Sequence, residues 1–227
     1  KAFGFRDKTG IDLPGEAIGP FHSLTNFKEV ELATVSFGQS FQVSPLQMIS
    51  AVSAVANDGN LLKPRLVKQF TDKDGKVIET FEPEFVRQVI SKETSATLRN
   101  ILESVVSEGT GKNAYIKGFR VAGKTGTSEK LPRGSGKRIA SFVGFAPAND
   151  PKVVCLVMLD EPTGDQYYGG VIASPVVGKI MDDTLRYLQV EPQFTDEELL
   201  TMDISVPEVR NIEIKQAQKA LGDAKLT

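Results

Sequence analysis

The chain has 227 residues, 40% of them hydrophobic, and is therefore long enough to bury a sizeable core. Its 27 basic and 29 acidic residues leave a net charge of −2, which excludes a general electrostatic attraction to nucleic acid. With one cysteine and one histidine, the sequence also excludes an internal disulfide bond and a Cys/His metal site.

The beginning of the chain is rich in turn-forming residues. No signal peptide opens it, and residues 1–5 are typical of the interior of a protein, so we expect further sequence before Lys1. Residues 1–30 are predicted to be irregular around a short strand. His22 has no serine or aspartate partner at a recognisable spacing and is interpreted as a surface or packing residue.

Two helices and a hairpin are predicted next. Ser44, followed by proline at the first helical position and Gln47 at the third, forms a capping box, and Gly59 favours the end of this helix. Residues 66–70 and 76–81 are predicted to pair as a β-hairpin around the turn at 72–75. A second helix is predicted from Ser91, with an apolar face formed by Leu98, Ile101, Leu102, Val105 and Val106.

The next stretch is predicted to be sheet. Residues 119–121, 141–145 and 153–159 form apolar strands, with a polar loop at 128–138 after the first. Because residues 153–159 are apolar at every position, we expect them to form a central strand covered on both faces. A third helix is predicted from Ser174, which precedes a proline, and buries residues Val176, Val177, Ile180, Met181, Leu185 and Leu188.

The composition changes after Gln189. Residues 191–204 are acidic, lack a helical or strand period, and are predicted to be a linker between a domain at 1–190 and a segment at 205–227. In that last segment a strand from Ser205 to Val209 and a short helix at 212–221 are predicted. These two elements are too short to form a core of their own.

One short motif, Lys124-Thr125-Gly126-Thr127, carries most of the chemical information. A K-T-G triplet is one of three motifs that build the active site of penicillin-recognising serine acyltransferases, together with S-x-x-K and S-x-N. No serine of this chain is followed by lysine three positions later or by asparagine two positions later. The sequence therefore predicts one wall of an active site without its nucleophile or general base.

The chemistry of these residue types suits that role. Lys124 provides a fixed cation, and the hydroxyls of Thr125 and Thr127 can bind a substrate carboxylate. Gly126 leaves the strand surface bare enough for a peptide to lie against it. The backbone N–H of Thr127 can serve as one of two oxyanion-hole donors.

A competing pattern overlies the same letters. Residues 118–125 match the phosphate-binding pattern G-x-x-x-x-G-K-[ST]. That loop requires a helix directly after it, whereas the residues after Thr125 include three glycines and a proline, which oppose a helix. A P-loop nucleotide-binding protein is therefore the disfavoured alternative.

Over about 185 residues the chain resembles the C-terminal half of the transpeptidase domain of class B penicillin-binding proteins. The resemblance rests on an ordered set of segments at residues 4–16, 36–39, 43–47, 56–59, 122–127, 141–147, 168–170 and 173–175. Residues 206–209 and the helix after them resemble the start of a PASTA module, a wall-binding appendage common in Gram-positive members.

The resemblance implies an α+β fold in which a five-stranded antiparallel sheet is flanked by helices, present here as its C-terminal part. It also implies a serine D,D-transpeptidase that cross-links peptidoglycan stem peptides through an acyl-enzyme and is acylated by β-lactams. The nucleophile is expected upstream of Lys1, so the fragment alone should be inactive. Tyr168, Gly169 and Gly170 are expected to line the cleft, although a tight turn before a helix explains these glycines equally well.

The resemblance further implies where the parent protein works and with what. It implies no cofactor and no metal. The parent is expected at the extracytoplasmic face of the membrane, anchored by an N-terminal helix absent from this chain, where it works with other wall-synthesis proteins in division, elongation or sporulation. A non-catalytic wall-binding protein on the same fold stays open as an alternative, because only the upstream sequence can decide it.

Overall fold

A computed structural model describes residues 2–21, 27–39, 41–132, 134–201 and 206–224. The helices are α1 (Glu29–Ser36), α2 (Pro45–Ala56), α3 (Lys92–Ser107), α4 (Gly169–Ile172), α5 (Ser174–Tyr187), α6 (Asp196–Leu200) and α7 (Ile214–Asp223), with a 3₁₀ turn at Lys112–Ala114. The strands are β1 (Asn60–Leu62), β2 (Gln69–Thr71), β3 (Val77–Thr80), β4 (Phe85–Gln88), β5 (Ala122–Glu129), β6 (Arg138–Ala146) and β7 (Val153–Asp160).

The centre of the fold is an antiparallel sheet in the order β5-β6-β7. Helix α5 covers one face, where Phe142, Val177, Met181 and Leu185 form a core with almost no exposed surface. On the other face Ala56 of α2 packs with Ala122, Phe145 and Ala148. The result is an α+β arrangement, in which the described residues contribute three strands to this sheet.

Helix α3 lies along the β5 side of the sheet. It contributes Val106 to the first core, while Leu102 packs against the second. Arg120, just before β5, donates two hydrogen bonds to Glu103 of α3, at 2.7 and 2.6 Å. The helix thereby fixes the beginning of β5 and leaves its second half uncovered among the described residues.

The predicted elements around the sheet are largely confirmed. Ser44 caps α2 through a complete capping box, and Ser91 caps α3. Strands β2 and β3 form the expected hairpin, whose turn is closed by the Asp72 carboxylate. Strands β1 and β4, which form a separate pair, were not predicted, because three- and four-residue strands carry too little periodicity.

Residues 153–159, predicted to be a central strand, form β7, which pairs with β6 alone among the described strands. β7 lies at one end of the sheet as far as the chain is described, and β6 is central. Both faces of β7 are only partly buried, and Met158 is 41% exposed. Apolar residues at every position of a strand predict that both of its faces are covered. They do not predict which strands pair with its two edges.

Other details also differ from expectation. β5 continues to Glu129, so the connecting loop is shorter than predicted. Ser174 lies inside α5, because α4 runs directly into this helix, and its hydroxyl donates to the Gly111 carbonyl. No strand occurs in residues 2–21, and α1 follows instead. Side chains expected to be buried are exposed where a helix meets the sheet through a narrow stripe: Ile101, Val176, Ile180 and Leu188.

The predicted linker contains a helix. Residues 193–201, which we call the C-terminal clasp, include α6 and dock on residues 115–118. The Glu198 carboxylate is only 9% exposed and accepts hydrogen bonds from the Tyr115 hydroxyl and from the Gly118 N–H, the latter at 2.8 Å. The sequence did not indicate this helix, because its single turn is held by tertiary hydrogen bonds and not by its own periodicity.

The segment after the clasp is only partly as predicted. Helix α7 is present, but residues 206–209 form no strand. His22 and Ser205 lie outside the described residues. No helix in the described part of the chain is long and apolar enough to cross a membrane.

Candidate active site

The Lys124–Thr127 motif occupies the middle of β5, at the open side of the sheet. At the end of the β5–β6 pair, the Lys130 N–H donates to the Lys137 carbonyl at 2.9 Å. Backbone groups alternate in an antiparallel pair, and the register is uninterrupted back to Ala122. The N–H and C=O groups of Thr125 and Thr127 therefore point away from β6, toward the open edge.

The side chains of the motif lie on both faces of the strand. Lys124 and Gly126 are on the α2 face, and Thr125 and Thr127 are on the α5 face, as the strand period of two requires. The exposed Lys124 ammonium donates to the Thr125 carbonyl at 3.1 Å. Because that carbonyl faces the open edge, the cation is brought to the same edge as the two threonines.

Gly126 lies close to a side chain of its neighbour on β6. It pairs with Ser141, and a Cβ at position 126 would lie 2.5 Å from the Ser141 hydroxyl oxygen. A larger residue would have to displace that hydroxyl. The glycine thus keeps the α2 face of the edge strand flat between Lys124 and Ser128.

Both threonine hydroxyls have a protein partner. The Thr125 hydroxyl oxygen lies 3.1 Å from that of Thr110, and either can be the donor. The Thr127 hydroxyl accepts a hydrogen bond from the Gly169 N–H at 3.1 Å. Since an N–H can only donate, the proton of the Thr127 hydroxyl is left free to donate to a ligand.

The turn at Tyr168–Gly170 packs tightly against this strand. A Cβ at Gly169 would lie 2.3 Å from the Gly126 carbonyl oxygen, and one at Gly170 would lie 2.4 Å from the Thr110 carbonyl oxygen. The Gly170 carbonyl also accepts from the Asn113 amide at 2.7 Å. Both glycines are therefore explained by close backbone approach to the strand and its neighbouring loop.

An aromatic pair stands beside the same turn. The rings of Tyr167 and Tyr168 are 4.5 Å apart, and the Arg138 guanidinium lies 4.6 Å from the Tyr167 ring centre. The hydroxyl of Tyr167 donates to that of Tyr168 at 3.2 Å. Tyr168 is 53% exposed, so its ring is available at the border of the site.

A large cavity continues from the end of the motif. This cavity has a volume of about 1030 Å³. Ser128 and Leu131 line it on the β5 side, and Phe37 and Phe41 line it on the other. A ligand lying along the open edge of β5 would extend into this space.

The structure excludes the phosphate-binding alternative on geometric grounds. Residues 122–129 form one continuous strand, and no helix begins at Lys124 or Thr125. The N–H groups of a helix N-terminus, which a phosphate-binding loop needs, are therefore not present here. No three described Asp, Glu, His or Cys side chains are arranged to hold a metal ion.

Sequence reasoning found the motif and missed its supports. The fold brings Thr110 and Ser141 against the motif. It also brings Asn113 and Tyr167 to residues 168–170, which pack on the motif. Thr110, Asn113 and Tyr167 belong to no recognisable pattern with Lys124–Thr127, and the segment that begins at Ser141 does not by itself indicate that this residue lies opposite Gly126. Only the pairing register and the path of the chain after α3 reveal them.

Comparison with known proteins gives the family. Residues 1–182 match the model of the penicillin-binding protein transpeptidase domain. The chain is 44% identical over 230 residues to stage V sporulation protein D of Bacillus subtilis (strain 168), covering 97% of this chain and 36% of that protein. It is 38% identical over 193 residues to the probable peptidoglycan D,D-transpeptidase PenA of Neisseria flavescens, covering 83% of this chain and 45% of that protein.

Solved structures agree with the sequence relatives. The apo TP domain of penicillin-binding protein 3 from Burkholderia pseudomallei matches with a TM-score of 0.74 at 36% identity, over 86% of this chain and 57% of that chain. Penicillin-binding protein 3 from Mycobacterium tuberculosis, complexed with ampicillin, matches with a TM-score of 0.75 at 29% identity, over 86% of this chain and 46% of that chain. The chain spans less than half the length of the two curated relatives. It belongs to the penicillin-binding protein transpeptidase family, among homologues of class B.

Proposed function

We propose that the full-length protein is a serine D,D-transpeptidase that cross-links peptidoglycan stem peptides. The observation that carries this proposal is the open edge of β5, where a lysine ammonium, two threonine hydroxyls and a backbone N–H without a partner among the described residues come together. An extended peptide ending in a carboxylate fits such an edge, because it can pair with the strand and place its anion by the cation.

Each part of the motif has a role in this proposal. The Thr127 N–H, which points to the open edge, donates to the oxyanion of the tetrahedral intermediate. Lys124 and the hydroxyls of Thr125 and Thr127 bind the terminal carboxylate, while Gly126 allows the peptide to lie close. Tyr168, Gly169 and Gly170 border the cleft.

The reaction has two acyl-transfer steps. A serine hydroxyl attacks the carbonyl between the two terminal D-alanines, the C–N bond breaks, and the leaving D-alanine takes up a proton. An amine of a neighbouring stem peptide then attacks the ester, which forms the cross-link and restores the serine. The serine and its base are proposed to lie in sequence preceding this chain, because no S-x-x-K or S-x-N occurs within it.

The setting of the full-length protein is part of the same proposal. It would act at the extracytoplasmic face of the membrane, held by an N-terminal anchor, with other wall-synthesis proteins as partners. Residues 205–227 would begin a PASTA module. The similarity to a stage V sporulation protein favours a sporulation role over a division role.

The test is the acylation of the full-length protein by a β-lactam. Lys124→Ala should slow acylation by at least about tenfold, since one charge-assisted hydrogen bond contributes roughly 1.5–3 kcal/mol. Lys179→Ala, which removes an exposed lysine from α5, is the matched control and should leave the rate unchanged. The measurement is the second-order rate constant of adduct formation, with folding checked by circular dichroism.

Two results would count against the proposal. An unchanged rate in Lys124→Ala would remove the motif from the active site. No covalent adduct on the full-length wild type would favour the non-catalytic wall-binding alternative, in which the fold is kept and the chemistry is lost.

A further inference from the structure

Thr110 lies outside the motif but touches it. It follows α3 and Gly109, and its hydroxyl oxygen is 3.1 Å from that of Thr125. Fifteen residues separate the two threonines, so this contact exists only because the chain returns from α3 to the edge of β5. Nothing in the sequence relates Thr110 to the K-T-G triplet.

The backbone at Thr110 is held firmly in place. Gly170 approaches so closely that a Cβ there would lie 2.4 Å from the Thr110 carbonyl oxygen. The next carbonyl, that of Gly111, accepts a hydrogen bond from the fully buried Ser174 hydroxyl at 3.1 Å. The exposed hydroxyl of Thr110 is thus carried by a backbone that is fixed from below by α4 and α5.

The two threonines of the motif show parallel arrangements. The Thr127 hydroxyl accepts from the Gly169 N–H, which leaves its own proton free. If Thr110 donates to Thr125, the Thr125 hydroxyl is in the same state, with its lone pair engaged and its proton directed outward. A negatively charged ligand at the edge of β5 favours donation from Thr110 to Thr125 over the reverse, because successive hydrogen bonds that point toward a negative charge strengthen one another.

We propose that Thr110 is a positioning residue that donates to Thr125 and so turns the Thr125 proton toward the substrate carboxylate. This inference rests on the proposed function and concerns the recognition of the anion, not the acyl transfer itself. Thr110 contacts neither the substrate nor the reacting atoms. Its effect should therefore depend on whether the ligand carries the carboxylate.

The experiment compares benzylpenicillin with its methyl ester, which lacks the negative charge, on the full-length protein. Thr110→Val removes the hydroxyl at nearly constant shape, and should slow acylation by benzylpenicillin about threefold to tenfold, as expected for one hydrogen bond. The rate with the ester should change by less than about twofold. Thr110→Ser, which keeps a hydroxyl, should restore most of the benzylpenicillin rate.

Thr97→Val is the matched control. Thr97 is an exposed threonine of α3 whose hydroxyl donates to the Glu93 carbonyl at 3.0 Å, so both rates should stay at the wild-type value. Equal losses with benzylpenicillin and with the ester in Thr110→Val would indicate a structural role and overturn the proposal. So would an unchanged benzylpenicillin rate. If the wild type itself forms no adduct with either compound, the proposed function fails before Thr110 is tested.

Discussion

At the scale of single residues, Thr127 has two separate tasks. Its N–H points to the open edge of β5, whereas its hydroxyl accepts from Gly169 behind the strand. Substitution can therefore remove one without the other. The motif is also asymmetric, because Lys124 reaches the edge from the opposite face of the strand.

Two substitutions at Thr127 separate these tasks in the full-length protein. Thr127→Pro deletes the proposed oxyanion donor and should slow acylation by about 10²–10³-fold. It removes no ladder hydrogen bond, because this N–H does not pair with β6, so an edge strand tolerates it best here. Thr127→Ala keeps the N–H and should slow acylation by less than about tenfold. The measurement is the acylation rate of each folded variant.

The order of the two effects is the critical outcome. Slower acylation of Thr127→Ala than of Thr127→Pro would mean that the Thr127 hydroxyl, and not its N–H, contributes more to the acylation rate. Melting temperatures of both variants serve as the control for strain introduced by proline.

The identity of the motif was predictable from the sequence, and its surroundings were not. Lys124–Thr127 is contiguous, so a pattern of four letters suffices to find it. Thr110, Ser141 and Gly169 contribute through register and close approach, which depend on how distant segments pack. Gly169 and Gly170 were expected to border the cleft, and their tight packing against the motif strand was visible only in the fold.

At the scale of elements, the C-terminal clasp depends on one carboxylate. Burial alone would raise the pKa of Glu198, but hydrogen bonds from Tyr115, the Gly118 N–H and Thr195 outweigh it and lower the pKa below its ordinary value. Burial and the bond to Glu198 raise the pKa of Tyr115 to about 12. The clasp is therefore stabilised by an ionised Glu198 and a neutral Tyr115.

The docked clasp should lose stability at acid pH, because it depends on the ionised Glu198 carboxylate. Since the pKa of Glu198 is lower when the clasp is docked, its stabilisation is present above the unfolded pKa of about 4.3 and is lost as the pH falls through the docked value. Glu198→Gln should release the clasp already at neutral pH. The release would be seen as faster hydrogen exchange of the Gly118 amide, which donates to Glu198, and of the Gln193 amide, which donates to the Gly118 carbonyl at 2.7 Å. Protection of these amides in the wild type should likewise fall below about pH 4.

Glu197→Gln provides the control for this prediction. It removes the same charge from the same helix, but Glu197 is exposed and accepts none of these bonds. Amides of β6 should exchange at the wild-type rate in both variants. The Phe194 ring packs against Gly118, where a Cβ would lie 2.5 Å from it. Protection of Gly118 that survives Glu198→Gln would show that this ring and the backbone hold the clasp without the carboxylate.

Long periodic helices were predicted well, and elements held by other parts of the fold were not. Helices α2 and α3 carry their own caps and apolar faces, so the local sequence determines where each helix begins and ends. Helix α6 has five residues and is stabilised by what it docks on. The position of β7 at one end of the described sheet likewise depends on which strands pair, and the composition of a strand does not predict its partners.

At the scale of the whole molecule, the chain holds one wall of the proposed active site. Incubated alone with a labelled penicillin, it should form no stable covalent adduct, because no S-x-x-K serine is present to be acylated. Intact mass spectrometry is the measurement, with the full-length protein as the positive control. A stable adduct on this chain would relocate the nucleophile into residues 1–227.

The C-terminal clasp also has a mechanical consequence. The path from α7 back to α5 passes through residues 193–201, which grip the loop at Gly118 immediately before β5. Tension applied to α7 would load the hydrogen bonds of Glu198 before it reached the ladder between β6 and β7. The clasp would then detach first. The residues after it would extend, while the strand that carries Lys124 stayed paired with β6.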